Sequence, residues 1–284
     1  MIIRLPIGWP FLVAVVIIAV LAIMILRMRK KGSDGTGDNA GSRMAPSQPA
    51  KPRHVISGGP SLSTGYQDLD DMLGGGIPLG FAVLFLAQSY DERDLLIRKA
   101  IESNVAKGGP TFYLSTDISK TEDLARTFPR GFYAMSPMAE KMAPEFQNVI
   151  KIPDVGDLSN LSISANQFID SHSDERGGNL LTIDLLTDLL LRNKAVTTRK
   201  WLTEFIAKHK SKHFTILSTL DPTVTSKEDS QAIIGVFEGV IEIYERQLQE
   251  RSRRFLVVKK MYDHDYSEDE LMLDRHKLLG KTNQ

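Results

Sequence analysis

Hydrophobic positions along the chain fall into three regimes. The first is continuous: positions 5–26 hold 22 residues without a charge, and 11–26 is almost wholly aliphatic. As a helix this segment would measure roughly 33 Å, enough to cross a hydrocarbon core of about 30 Å. Pro6 and Pro10 fall near its start, where a helix accommodates proline, and Trp9 sits where an interfacial aromatic belongs. The second regime, 27–54, has no apolar periodicity. After Arg27, Arg29, Lys30 and Lys31 it is rich in Gly, Ser, Ala, Pro and Asp. Such a composition buries too little apolar surface to offset chain entropy, so a flexible basic linker is expected.

From Val55 onward the pattern changes again. Short apolar runs at 82–87, 111–115, 149–152, 180–184, 213–219, 239–244 and 254–258 predict strands. Several are continuous rather than alternating, as expected of strands buried on both faces. Between them lie helical patterns. One covers 94–107, with Leu95, Leu96, Ala100, Ile101 and Val105 on one face; another covers 199–209, with Trp201, Leu202, Phe205 and Ile206 at helical spacing. Strands alternating with helices predict an α/β domain with a largely parallel central sheet. The last two apolar runs flank a charged stretch, which predicts a C-terminal antiparallel hairpin. No internal repeat is visible. The expected organisation is a transmembrane helix at 5–26, a linker at 27–54, one domain at 55–274 and a tail at 275–284.

Charge orients the first segment. Four cations in 27–31 follow it, while only Arg4 and the amino terminus precede it. The positive-inside bias therefore predicts a single-pass protein of the cell membrane with its C-terminal domain cytoplasmic. A cleaved signal peptide would need a shorter apolar region followed by a small-residue cleavage site, and the segment has neither. A buried core helix is the other alternative, disfavoured by length and by the linker after it. Over the whole chain 35 Lys and Arg balance 35 Asp and Glu, so there is no global basic field and no strong nucleic-acid signal. The chain has no cysteine, which excludes disulfides, thiolate metal sites and cysteine nucleophiles.

The stretch Ser63-Thr64-Gly65-Tyr66-Gln67-Asp68-Leu69-Asp70-Asp71-Met72-Leu73-Gly74-Gly75-Gly76-Ile77-Pro78-Leu79-Gly80 resembles the opening of RecA/KaiC-like ATPase domains of the P-loop superfamily. The resemblance continues in order. Phe112-Tyr113-Leu114-Ser115 is similar to the family's second core strand, and Leu180-Leu181-Thr182-Ile183-Asp184 to its Walker B strand. Phe237 to Glu242 and Val257 to Met261 are similar to its terminal hairpin. The resemblance covers about 57–274. It implies a RecA-like three-layer fold with a largely parallel sheet, and ATP with Mg²⁺ as the cofactor of an intact member.

The implied phosphate loop should come after the strand 82–86. Its chemistry needs glycines that let backbone N–H groups wrap the phosphates, a lysine for the outer phosphates and a hydroxyl for Mg²⁺, in the pattern G-x-x-x-x-G-K-[ST]. The corresponding residues are Ala87-Gln88-Ser89-Tyr90-Asp91-Glu92-Arg93-Asp94. Ala87 and Glu92 replace the two glycines, Arg93 the lysine and Asp94 the hydroxyl residue. Asp91, Glu92 and Asp94 against Arg93 give a local charge of −2, where the family has about +1. A carboxylate 4 Å from a phosphate oxygen costs about 4 kcal/mol at a surface-like dielectric. Two of them offset most of a micromolar affinity, which is worth about 8 kcal/mol.

Two further implied positions depart from the family. Its acidic pair after the second core strand becomes Asp117 and Ile118, and its K-M-R-G segment becomes Lys260-Met261-Tyr262-Asp263. Asp184 retains the Walker B aspartate. The resemblance therefore implies a membrane-anchored pseudo-ATPase without catalytic residues or bound cofactor, acting as a regulatory or scaffolding module. The alternative is an ATP-binding protein or ATPase using an atypical phosphate loop with Mg²⁺, for which Asp184 and Lys260 are the retained positions. The expected partners are the lipid bilayer, through the N-terminal helix, and a homo-oligomer or a related RecA/KaiC-like subunit. Elsewhere, Lys208, His209, Lys210, Lys212 and His213 form a basic cluster best explained as cations at a helix C-terminus. Asp263, His264, Asp265 and 268–270 form an acidic stretch best explained as solvated rather than metal-binding.

Overall fold

A computed structural model describes residues 59–142, 146–174, 178–248 and 251–280. The chain divides into two units, Met1–Arg53 and His54–Gln284, and the second contains every described element. The expected membrane helix and linker lie outside the described residues, and no helix among the described residues is long and apolar enough to cross a membrane.

The second unit opens on a two-stranded antiparallel sheet, β1 (Ser61–Leu62) with β2 (Ile77–Pro78), enclosing helix α1 (Gln67–Met72). Packing accounts for the motif at 63–80. Buried Asp70 accepts from Ser63 Oγ at 2.6 Å, Thr64 N at 2.7 Å and Thr64 Oγ1 at 2.6 Å, which folds the loop back onto its own helix. Gly65 has φ +71, and a Cβ there would strike the Lys99 carbonyl; Gly76 has φ +122, and a Cβ there would strike that of Leu62. These residues secure an entry loop rather than a ligand.

The main sheet has nine strands: β3 (Ala82–Ala87), β4 (Thr111–Ser115), β5 (Phe132–Ser136), β6 (Val149–Lys151), β7 (Leu180–Asp184), β8 (Thr215–Leu220), β9 (Gly239–Leu248), β10 (Arg251–Met261) and β11 (Leu271–Met272). Their order is β11-β10-β9-β3-β8-β7-β4-β5-β6. Every pairing from β9 to β6 is parallel, whereas β10 runs antiparallel to both β9 and β11. Helices cover both faces. Along β3, Val83 and Phe85 join Leu96, Ala100 and Ile101 of α2 (Asp91–Ala106), whereas Ala82 and Leu84 face the opposite layer. That second layer is built from α4 (Leu158–His172), α5 (Leu186–Arg192) and α6 (Ala195–Lys210). Burial on both sides is why the strands carry continuous apolar runs. Helix α3 (Ile118–Thr127) joins α2 on the first face, α7 (Lys227–Ile234) comes after β8, and α8 (Arg275–Leu278) ends the described chain.

The largely parallel sheet and the antiparallel C-terminal strands are those expected from the sequence. The details differ in places. β5 has no counterpart among the predicted strands: its five residues, Phe-Tyr-Ala-Met-Ser, contain no β-branched side chain. Helix α4 is rich in Ser and Asn, poor helix formers, yet buries Leu158, Leu161, Ala165 and Ile169 on one stripe under an Asp157 cap. The packed chain also runs past 274, because Asp274 caps α8 and Leu278 is only 1% exposed in the core.

The basic cluster separates into distinct roles. Lys208 and Lys212 pair with Asp170, and Lys210 with Glu238. His209 is not a cation at all. It is wholly buried between Phe205 and Phe214, its Nδ1 lies 2.8 Å from the Phe205 carbonyl, and Nε2 has no partner. Burial, above all, lowers its pKa from 6.5 to about 4. In the acidic stretch His264 lies 2.9 Å from the Leu73 carbonyl, and no His/Asp/Glu group among the described residues is arranged to hold a metal ion.

The buried imidazole makes stability depend on pH with a definite sign. The folded state keeps His209 neutral while the unfolded chain protonates it below 6.5, so its contribution is complete above 6.5 and is lost as pH falls toward about 4. The full loss is on the order of 3 kcal/mol. Denaturant unfolding of wild type and His209→Gln over this window should show the wild type losing stability more steeply. Parallel curves would exclude His209 as the titrating group.

Candidate functional site

In a sheet covered by helices on both faces, side chains from successive loops converge at the carboxyl ends of the strands. At that end β3 passes into α2, β4 into α3, and β7 terminates at Asp184.

The connection from β3 to α2 is only Gln88, Ser89 and Tyr90, and α2 begins at Asp91, three residues before the expected Asp94. Asp91, Glu92 and Asp94 thus occupy the first helical turn, where carboxylates complement the exposed N–H groups and the helix dipole. The loop closes on itself: Tyr90 N donates to the Gln88 carbonyl at 2.7 Å, and Arg93 N and Asp94 N donate to the Tyr90 carbonyl at 3.1 and 3.3 Å. No residue from Ala87 to Asp94 has positive φ. An anion-binding nest needs successive N–H groups turned inward through left-handed positions, and this backbone does not provide it.

The side chains form an ion cluster instead. Arg93, 5% exposed, donates through Nε and Nη2 to Asp94 Oδ1 at 2.9 and 2.7 Å. Lys120 of α3 places its ammonium 2.8 Å from Asp94 Oδ2, 3.6 Å from Asp117 Oδ2 and 3.9 Å from Asp184 Oδ2. Burial pulls the Lys120 pKa down, but Asp184 and Asp94 outweigh it, and the amine is held above its usual value. Asp184 also accepts from Tyr113 Oη at 2.7 Å and from Thr219 Oγ1. Burial first, and then the Asp184 charge, raise the Tyr113 phenol well above its ordinary pKa, so it remains a donor. Asp117 caps α3, accepting from Lys120 N at 3.0 Å. Three carboxylates surround two cations.

Beside the cluster lies a cavity of about 230 Å³ between α2 and α3. Leu95 and Leu124 supply apolar wall, and Leu279 adds to it from beyond α8. The ion pairs Arg98–Asp123 and Arg275–Asp91 also stand in the wall.

Of the positions singled out from the sequence, Arg93, Asp94, Asp117 and Asp184 come together. Ala87 does not face them; it is buried in the sheet, paired with Ile243. Glu92 is half-buried on the first turn of α2, outside the cluster. Lys260 lies on β10 and donates to the Phe237 carbonyl of its own chain. Lys120, Tyr113 and Thr219 are site residues that the sequence does not single out. Only the i,i+3 spacing of Asp117 and Lys120 is visible there, because the other partners come from distant loops.

These residues do not fit ATP with Mg²⁺. The loop lacks the N–H cradle, and the carboxylates at positions 94 and 184 face an ammonium where phosphate and metal would have to enter.

No family model matches the chain, and no curated protein matches it. Among solved structures it is similar to the KaiC-like protein of the hyperthermophilic archaeon Pyrococcus horikoshii, with a TM-score of 0.56 and 14% identity over 75% of this chain and 93% of that one. The chain therefore has a KaiC-like α/β fold.

Replacing Lys120 by Met leaves Asp94, Asp117 and Asp184 facing one another. The variant should lose roughly 1–3 kcal/mol in denaturant unfolding, with part recovered when Asp94→Asn is added. Mg²⁺ should raise its melting temperature more than that of wild type. An unchanged melting temperature in the variant would remove Lys120 from the role assigned to it.

Proposed function

We propose that the protein is a membrane-anchored, non-catalytic module with a RecA/KaiC-like domain, acting in regulation or as a scaffold at the cytoplasmic face of the cell membrane. The observation that carries this reading is the position of the Lys120 ammonium, bridged among Asp94, Asp117 and Asp184. Phosphoryl transfer relies on positioning and on electrostatic stabilisation of the transferred group. In this cluster the cationic groups are already paired to side-chain carboxylates, and Lys260, the retained lysine of the K-M-R-G segment, is engaged with the Phe237 carbonyl. The anchor is inferred from the uncharged segment 5–26 and the cations after it. Its protein partner is a second copy or a related RecA/KaiC-like subunit.

Asp184 at the end of β7, beside a cavity of about 230 Å³, favours one competing reading, an ATP-binding protein with an atypical loop. Equilibrium binding and turnover separate the two. The full-length chain, purified in detergent, should release phosphate from ATP only at the rate of the buffer blank, with or without Mg²⁺. Neither Arg93→Lys nor Asp94→Thr alone should change that, since groups that act as a unit are not restored singly. Saturable ATP binding, or turnover abolished by Asp184→Ala, would overturn the non-catalytic reading.

A further inference from the structure

The hairpin β9–β10 extends beyond the sheet that supports it. β3 accompanies β9 only as far as Ile243, and β11 meets β10 only at Phe255 and Leu256. Residues 245–248 and 251–254 are therefore laddered to one another, and at the base of the ribbon Leu273 N also donates to the Arg254 carbonyl at 2.9 Å. A two-stranded ribbon of this kind is marginal by itself, and nearly all of it is exposed.

Its two faces differ. On the inner face Arg254 pairs with Glu245 at 2.9 Å and lies 4.3 Å over the Tyr90 ring. The outer face carries Arg246, Leu248, Arg251 and Arg253. Register sets Arg246 directly opposite Arg253, and Leu248 opposite Arg251. Like charges directly opposite one another destabilise a strand pair. Arg246 is partly compensated by Glu270, Tyr244 Oη and the Phe255 ring, 4.6 Å away. Arg251 and Arg253 make no ion pair with any described residue. Leu248, 41% exposed, stands among them. Among the described residues no carboxylate compensates Arg251 or Arg253, and a partner rich in negative charge would.

We propose that this face docks on an anionic lipid surface, with Arg246, Arg251 and Arg253 contacting headgroup phosphates and Leu248 entering the interface. The exposed leucine distinguishes a bilayer from a nucleic-acid backbone, which rewards the guanidiniums but not an aliphatic side chain. Proximity favours the same choice and rests on the membrane-anchor reading. A chain of the length of 27–54, with that composition, reaches roughly 30 Å, so the domain stays within reach of the bilayer that 5–26 is proposed to cross. Docking would then fix the orientation of the domain at that surface.

The absence of native cysteine makes the test clean. Ser252→Cys, labelled with a fluorophore, reports on the ribbon, and Val196→Cys serves as a remote control. The full-length chain is reconstituted in phosphatidylcholine vesicles with or without phosphatidylserine, each containing a headgroup quencher. Quenching at position 252 but not 196, present only with phosphatidylserine, weakened by salt and lost in Arg251→Glu/Arg253→Glu, is the expected result. Quenching that ignores phosphatidylserine or survives the double reversal overturns the proposal. If the chain washes out of vesicles at alkaline pH, the anchor reading fails separately. Cosedimentation with phosphatidylserine vesicles then decides the ribbon: salt-sensitive binding falling at least tenfold in the double variant sustains it, and no binding overturns it. Tighter binding to a single-stranded oligonucleotide, lost in the same variant, also overturns it. Should the reversal variant melt early, Arg251→Gln/Arg253→Gln takes its place, with the same outcomes.

Discussion

A sheet buried on both faces restricts polar chemistry to its edges and to the ends of its strands. That constraint organises this domain. The interior of β3, β4, β7 and β8 holds no charged side chain before Asp184, its polar residues being serines and threonines such as Thr182 and Ser218, and the charged groups collect where β7 ends and where α2 and α3 begin. Whatever the site does, it must do with the residues delivered there by three connections. The short link from β3 to α2 delivers Arg93 and Asp94, the link from β4 to α3 delivers Asp117 and Lys120, and β7 delivers Asp184.

Electrostatics then decides what those residues become. Carboxylates at 94, 117 and 184 repel one another in a half-buried crevice, and a counter-charge among them offsets that repulsion. Lys120 supplies it from within the chain, and the Arg93 guanidinium covers the remaining oxygen of Asp94. An intact phosphate site inverts this logic: the protein contributes N–H groups and cations, and the ligand brings the negative charge. Here both signs of charge belong to the protein, and hydrogen bonds from Tyr113 and Thr219 complete the coordination of Asp184. The retained aspartate therefore has a sufficient structural explanation, and its presence by itself does not argue for catalysis.

Much of the fold is legible in the sequence because burial on both faces writes strands as uninterrupted apolar runs, as at 82–87, 111–115 and 180–184. β5 escapes because Ala134, Met135 and Ser136 carry little strand preference, and α4 because Ser and Asn dilute its stripe. The early start of α2 is readable in principle: three carboxylates in four residues are a helix N-terminus signal, as well as a source of repulsion toward phosphate. Lys120 is not readable. Its three carboxylate partners lie 26 residues before it, 3 before it and 64 after it, and only the parallel pairing of β4 with β7 brings the last of these near. Lys260 is hidden for the same reason in reverse, since its carbonyl partner depends on how the hairpin is folded.

The missing glycines have a positive counterpart in the structure. A loop that wraps phosphate needs backbone freedom and an unobstructed approach. Gln88, Ser89 and Tyr90 have neither, because the Tyr90 carbonyl holds the first turn of α2 and its ring lies under Arg254 from the hairpin. The hairpin's inner face is thus stacked on the loop at which an ATPase of this fold would work, while its outer face carries Arg251 and Arg253, which form no ion pair with a described residue. One strand pair links the two surfaces through Arg254 and Tyr90. A partner bound to the outer face would act on a ribbon whose inner face already packs against the start of α2. The stacking has a physical consequence for any nucleotide reading as well: opening the loop to admit a phosphate would require breaking the Arg254–Tyr90 contact along with the Lys120 cluster, and both costs fall at the α2 end of the same short connection.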